Sequence, residues 1–409
     1  MSEWKKVKLK DCCHSISDGD HLPPPKSNSG VPFVTIANID ATNHIDFGNT
    51  MFVPLEYYNN LNDIRKAKCN DILYSVVGSF GKPVLIKENI PFAFQRHIAI
   101  LRPNNEIADS RFLYYVMLTR DFFMQADTVA IGAAQRTISL TALRNMEVKL
   151  PSMETQYRIA NILSRYDSLI ENYQKQIKLL EEAAQRLYKE WFVDLRFPGH
   201  ENTNIIDGVP DGWEKKTIDD VTCKITTGLN PRKNFVLGKG SNYYVTIKNM
   251  ADNTLFLDDR CDRVDNEALE KINKRSDLKI GDILFSGIGT IGRVALVYIP
   301  TNNWNVSESV FTLRANDIVT KEFLYLMLLS PDMQNYCQSN AHGAAQKGIR
   351  MADLKAYSFN LPPFGVIQKF TNLVTPTIKK VSSIRNQIRL LTEARDRLLP
   401  KLMSGEIAV

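Results

Sequence analysis

The residues of this chain best suited to chemistry are a glycine cluster, six histidines and six cysteines, and their spacing argues against catalysis. Gly287-Ile-Gly-Thr-Ile-Gly292 follows a stretch that reads as a strand and matches G-x-G-x-x-G, the turn that brings backbone amides up to a dinucleotide or S-adenosylmethionine. Three features oppose that reading. The next residues, RVALVYIP (293–300), read as a second strand, whereas phosphate binding needs a helix N-terminus there. Asn303 and Trp304 stand where an acidic residue belongs, about twenty positions on. The equivalent stretch of the first half, VVGSFGK (76–82), lacks one of the glycines. A β-turn between paired strands is the expectation. His14, His21, His44, His97, His200 and His342 are scattered, with no serine or cysteine partner at motif spacing, so nucleophilic catalysis is not supported. Cys12, Cys13, Cys69, Cys223, Cys261 and Cys337 show no C-x-x-C spacing, which suits a reducing compartment and argues against a structural zinc site.

Leu361-Pro-Pro-Phe364 is similar to the Asn/Asp-Pro-Pro-Phe/Tyr loop of adenine methyltransferases, whose first side chain accepts a hydrogen bond from the target amine. Leucine has no acceptor, and the counterpart Leu150-Pro-Ser-Met153 marks the passage from a domain into a helix, so the segment is read as structural. No apolar run approaches the length of a membrane span and no signal peptide is legible, so the expected location is the cytoplasm, with no membrane contact. The formal net charge of +6 permits a polyanionic partner without requiring one.

At 409 residues the chain implies two or three domains. Residues 1–150 alternate β-branched and aromatic runs with turn clusters: VPFVTIANI (31–39), DILYSVV (71–77), PVLI (83–86) and HIAILRP (97–103), with one helix expected over 109–125. A long helix follows over 156–195. Its apolar residues Ile159, Ile162, Tyr166, Leu169, Tyr173, Ile177, Leu180, Ala184, Leu187 and Trp191 advance in steps of three and four. At 1.5 Å per residue it spans roughly 55–60 Å, and Pro198 and Gly199 end it.

From Trp213 the pattern runs again. Val34-Thr-Ile-Ala-Asn-Ile39 aligns with Val245-Thr-Ile-Lys-Asn-Met250, 211 residues further on, and Asp71-Ile-Leu-Tyr-Ser75 with Asp282-Ile-Leu-Phe-Ser286 at the same displacement. Phe112 with Phe323, Gly132-Ala-Ala-Gln135 with Gly343-Ala-Ala-Gln346, Leu150-Pro151 with Leu361-Pro362, and Gln176 with Gln387 keep it. The chain is a duplicated unit, β-rich domain then helix. Val374, Ile378, Val381, Ile384, Ile388, Leu391, Arg395 and Leu398 give the second helix its seam, with Arg395 as a polar break. Thr375-Pro376 reads as an N-cap with proline at N1, which places the helix at 376–399, after a link one residue longer than in the first half.

The expected fold class is α+β: two β-rich domains, each followed by a long helix, the helices pairing as an antiparallel coiled coil with pseudo-twofold symmetry. The divisions are 1–150, the first domain; 151–197, the central helix; 198–212, a linker; 213–361, the second domain; and 362–409, the distal helix and tail. Two similar but non-identical reading heads on a rod suit duplex DNA, whose half-sites one helical turn apart lie roughly 34–36 Å from each other. The expected target is bipartite and asymmetric, with unread bases between its halves.

The arrangement resembles the specificity subunit of type I restriction-modification systems over essentially the whole chain, most specifically in LPSMETQYRIANIL (150–163), LLEEAAQRLYKEWFVDLRFPG (179–199), GDILFS (281–286) and LLPKLMSGEI (398–407). The resemblance implies that each β-rich domain is a target recognition domain and that the paired helices set the spacer. It implies double-stranded DNA, two methyltransferase (modification) subunits and restriction (nuclease-translocase) subunits as partners. The chain itself then holds no cofactor; S-adenosylmethionine belongs to the methyltransferase, and ATP and Mg to the restriction subunit. The competing reading is an autonomous adenine methyltransferase or nuclease with its own recognition domains, which the missing cofactor loop and the leucine of LPPF oppose. A coiled-coil adaptor that binds no DNA is a third.

Phosphate contacts should recur in both units, because backbone geometry is the same at each half-site. Lys82 with Arg293, and Gln135-Arg136 with Gln346-Lys347, sit in glycine-rich loops and meet that condition. Arg102 with Arg314 also recurs. Base-reading residues should differ between units, and Lys26, Arg96, Arg232, Lys233, Lys239 and Arg350 are the candidates for guanine edges or phosphates. On the outer face of the first helix, Lys175, Lys178, Glu182 and Lys189 are candidates for partner docking.

Overall fold

The computed structural model describes residues 4–21, 23–40, 42–133, 135–251, 253–343 and 347–409. Contacts divide the chain into two compact units: 1–172 with 388–409, and 173–387. The division passes through both long helices, so each unit holds part of each.

The first unit contains β1 (Lys5–Lys8), β2 (Cys13–Asp18), β3 (Val31–Val34), β4 (Met51–Val53), α1 (Leu55–Asn60), β5 (Ile72–Ser75), β6 (Pro83–Leu85), β7 (Ala93–Phe94) and β8 (Ile98–Pro103). Then come α2 (Ser110–Met117), α3 (Arg120–Val129), α4 (Leu140–Asn145), β9 (Glu147–Leu150) and α5 (Met153–Phe192). One sheet has the order β2-β8-β5-β6, a second β4-β3-β7, and β1 pairs antiparallel with β9, which leads into α5. The helix expected over 109–125 is two helices. Asp109 caps α2 by accepting from Arg111 N and Phe112 N, and Thr119 caps α3 by accepting from Phe122 N, so a second helix start interrupts the run.

The second unit begins, after the end of α5, with a hairpin of β10 (Ile205–Ile206) and β11 (Val209–Pro210) inside the segment expected to be a plain linker. Asp207 and Gly208 both take positive φ there, 52° and 79°, as a tight two-residue turn demands. Next are β12 (Glu214–Thr217), β13 (Thr222–Thr227), β14 (Asn242–Val245), β15 (Met250–Ala251), β16 (Thr254–Leu255), β17 (Asp262–Val264), α6 (Asn266–Ser276), β18 (Ile283–Ser286) and β19 (Val294–Leu296). The unit closes with β20 (Trp304–Val306), β21 (Val310–Ala315), α7 (Lys321–Leu328), α8 (Pro331–Ser339), α9 (Met351–Ala356), β22 (Ser358–Leu361) and α10 (Phe364–Met403). Its sheets have the orders β13-β21-β18-β19 and β17-β14-β20, with β12 paired to β22. Apart from the added hairpin of β15 with β16, these sheets repeat those of the first unit, down to the parallel pairs β3 with β7 and β14 with β20.

Helix α10 corrects the expected start at Pro376. Like α5 it has 40 residues, and it begins 211 residues after α5 does, so no extra residue lies in the link. Pro376 is exposed in its interior, where the ring lacks an amide to donate to Asn372. Burial of Ile367, Phe370 and Val374 on the other face holds the first turns in place, and tertiary packing overrides the local signal.

Within each unit the two helix segments pack antiparallel. In the second, the Glu181 carboxylate meets Arg385 at 2.6 Å, and further along α5 Trp191 meets Phe370 further back on α10, with centroids 5.7 Å apart. In the first, Leu402 is buried in one core with Ile159, Ala160 and Leu163, while Asp167 meets Arg395 at 2.7 Å. The polar break in the second seam is thus an ion pair across the helices, and Tyr115 Oη donates to the other Asp167 oxygen. One seam residue is displaced: Leu169 is exposed and Ile170 is buried in its place.

Candidate nucleic-acid interface

In each unit three loops converge beyond the ends of the four-stranded sheet. In the first they are the glycine loop between β5 and β6, the turn between β7 and β8, and the loop 131–137 before α4. The bridge of Ile131 with Thr137 closes the last loop on itself, that of Val77 with Thr137 joins it to the first, and Gly78 N donates to Arg136 O at 2.9 Å. The second unit repeats this with Ile288 and His342 bridged to Gly348 and with Gly289 N donating to Lys347 O at 2.7 Å. Gly287-Ile-Gly-Thr-Ile-Gly292 is therefore the turn between antiparallel β18 and β19. Its first glycine makes room for Phe311, since a Cβ there would lie 2.6 Å from the ring. Gly292, at φ 90°, makes room for Gln334, which donates to its carbonyl at 3.0 Å.

The turn between β7 and β8 is fixed by three backbone bonds that recur one for one. Ile98 N donates to Gln95 O and Val310 N to Ser307 O, closing each turn; Gln95 N donates to Val34 O and Ser307 N to Val245 O; Val76 N donates to His97 O and Gly287 N to Ser309 O. Arg96 and Glu308 hold the same place in the two turns.

A cavity of about 340 Å³ opens between these loops in the first unit, lined by Asp18, Arg96, His97, Gln135, Thr137 and Ser139 over a floor of Val76, Ile138 and Leu140. On its rim Asp18 accepts from His21 Nε2 at 2.8 Å and lies 3.8 Å from Arg65, which also meets Asp20 at 3.3 Å. Tyr57 donates to Asp20, and burial, then that bond, push its phenol well above the ordinary range.

The sequence-derived candidates fall into three groups. Lys82 and Arg293 turn inward: Lys82 Nζ donates to Ile39 O at 3.4 Å, and Arg293 to Ile247 O at 3.0 Å and to Met250 O. Both close the end of a single helical turn, Ile36–Asn38 and Ile247–Asn249, so their recurrence has an internal cause. The recurrence of Arg102 and Arg314 also has one. Each grips a buried aspartate with two nitrogens, Arg102 on Asp71 at 3.0 and 2.9 Å, Arg314 on Asp282 at 2.7 and 2.9 Å.

Arg136 is half-buried, bound to the Asp127 carboxylate and stacked over Phe80 at 5.4 Å. Gln135 and Lys347 are exposed on the matched loops, while Gln346 lies outside the described residues. Lys26, Arg96, Arg232, Lys233, Lys239 and Arg350 are all exposed. Of these only Arg96 lines the cavity. Arg350 stands where Ser139 caps α4, and makes no capping bond to α9.

Sequence reasoning missed Glu308, because it searched for cations. The carboxylate accepts from Asn230 Nδ2 at 2.7 Å and lies 3.1 Å from the buried Tyr244 Oη, whose single proton is also within reach of Leu229 O at 2.7 Å, and Asn230 Oδ1 in turn accepts from Arg232 N. Burial, then the Glu308 charge, push the Tyr244 phenol well up, so it stays a donor. At the displacement of 211 Arg96 falls on Ser307, and it is the backbone bonds of the turn that match it with Glu308.

The profile of the type I restriction modification DNA specificity domain matches residues 1–182 and 210–388. The chain belongs to that family. A type I restriction enzyme specificity subunit of Methanocaldococcus jannaschii (MjaIX) is 28% identical over 305 residues, covering 73% of this chain and 69% of its own length. The HindI specificity subunit of Haemophilus influenzae is 24% identical over the full length of both chains. The fold matches the crystal structure of a type I S subunit from M. genitalium, with a TM-score of 0.61 over 98% of this chain and 96% of that one, at 18% identity. The function that follows is recognition of DNA sequence as the specificity subunit of a type I restriction-modification system. The three converging loops of each unit are the candidate reading surface. Among the described residues no helix is long and apolar enough to cross a membrane.

Proposed function

We propose that the chain reads a bipartite, asymmetric duplex target, one half with each unit, and carries no catalytic step of its own. The observation behind this is the pair of units with one strand order and one loop framework but different side chains at the equivalent turn. A shared framework suits shared backbone geometry at the two half-sites, and differing tips suit different bases. In this reading two methyltransferase subunits, each with its S-adenosylmethionine, methylate an adenine in each half, and restriction subunits using ATP and Mg join for cleavage. A shallow groove of about 310 Å³ along α5, with Leu179, Ala183 and Leu187 between Glu182, Arg186 and Glu190, supports partner docking there.

The test is methyl transfer. The purified chain with labelled S-adenosylmethionine and host DNA is expected to transfer nothing, and with the cognate methyltransferase to direct labelling to one bipartite motif. Transfer by the chain alone would establish the autonomous enzyme instead. A DNA mobility shift that weakens with salt, in the presence of the methyltransferase, separates a reader from a coiled-coil adaptor, which gives no shift.

A further inference from the structure

We propose that Arg96 and Glu308, which occupy the same position in the two units, are specificity-determining residues: Arg96 reads a guanine in one half-site and Glu308 a cytosine in the other. This rests on the reading above, in which each unit reads its own half. The equivalence is geometric, since the turns that carry the two residues are fixed by the same three backbone bonds.

Glu308 is the more informative of the pair. A carboxylate next to a phosphate is repelled, so at a reading tip it needs a base donor. In the major groove the only donors are the amino groups of cytosine and adenine. Adenine sets its N7 acceptor beside the amine, against a second carboxylate oxygen, whereas cytosine shows N4 without that neighbour. The carboxylate is also pre-aimed. Asn230 holds one oxygen and the second lies 3.1 Å from Tyr244 Oη, whose proton Leu229 O also reaches, which leaves an acceptor direction free on each. Arg232 and Lys233, exposed in the turn that Asn230 caps, supply positive charge for the flanking phosphates.

Arg96 has the opposite chemistry. It is exposed at the mouth of the first unit's cavity, with no hydrogen-bond or ion-pair partner among the described residues. Its guanidinium carries donors only, and two of them match guanine O6 and N7.

Glutamine is the decisive substitution at both sites, because its amide offers one donor and one acceptor and pairs with adenine N6 and N7. The full chain, assembled with its cognate methyltransferase, is presented with a duplex library randomised at both half-sites, and methylated adenines are mapped at base resolution. E308Q is expected to change one position of one half-site from cytosine to adenine, with roughly ten- to a hundredfold loss of preference for cytosine. R96Q is expected to change one position of the other half-site from guanine to adenine. An unchanged motif, a uniform loss of methylation over all sequences, or a change in both halves at once overturns the proposal. If the unaltered complex yields no bipartite motif, the function itself is wrong, and that outcome is distinct. Were E308Q to fail to assemble, R96Q, an exposed side chain without a partner, decides alone.

Discussion

Arg314 lays Nε and one terminal nitrogen across both oxygens of Asp282, which is 1% exposed, and donates again to Asp277 O at 2.6 Å. A bidentate pair with one carboxylate wholly out of water is costly to break, because the partner left behind has no solvent to turn to. Asp282→Asn is expected to destabilise the protein by about 3 kcal/mol. Asp219→Asn, which breaks an exposed contact with Lys355, should cost under ~1 kcal/mol, and chemical denaturation compares the two. Equal losses would remove the argument from burial. A second residue-scale device joins the first domain to its helix: His44 Nε2 lies 3.0 Å from Glu171 on α5, and Lys87 meets the same oxygen. The bond to Glu171 raises the His44 pKa, so this stabilisation is complete below the free imidazole value of about 6.5 and fades as pH rises through the raised one. The same bond first, with Lys87 after it, holds Glu171 down to about 2 against its burial; that share is present above the ordinary carboxylate range and is lost as pH falls toward 2. His44→Gln should therefore destabilise more at about pH 5.5 than at about pH 9, and an equal deficit at both would mean the imidazole acts only by packing.

Among the elements, α10 shows how far the sequence could be followed and where local signals misled. Thr375-Pro376 carries a helix-start signature, yet the helix runs through it, since Phe370 packs on Trp191 and Phe192 at 5.7 and 4.8 Å and anchors the turns before the proline. Pro376→Ala restores the missing amide on an exposed face and should stabilise the chain by about 1–3 kcal/mol, read from the shift in denaturation midpoint; no gain would show that the helix is already relaxed around the ring. The duplication was legible because a near-constant displacement needs no knowledge of packing, and with it came the long helices and their pairing. Capping at Thr119 escaped notice because the apolar period continues across it. The reading surface was only half legible. Recurrence picked out Lys82, Arg293, Arg102 and Arg314, but a duplicated fold also repeats its internal ion pairs and helix-end contacts, and sequence cannot tell those from repeated phosphate contacts. Glu308 needed the hydrogen bonds of its turn to be matched with Arg96.

For the whole molecule, the proposal that the paired helices act as a ruler between two reading heads makes a quantitative demand. Exchanging residues 1–150 for those of a relative should alter one half-site only, as base-resolution mapping of methylated adenines would show; a change in both halves would refute independent heads. The spacer should instead follow the helices. Because Asp167 pairs with Arg395 and Glu181 with Arg385, shortening one helix alone would slide ion pairs and seam out of register. Matched removal of residues 172–178 and 387–393, two turns from each helix between these pairs, preserves the heptad phase and shortens the rod by roughly 10 Å. At about 3.4 Å per base pair the unread spacer should contract by about three base pairs, with both half-sites read as before. A folded, methylating complex with its original spacer would show that the distance is set elsewhere.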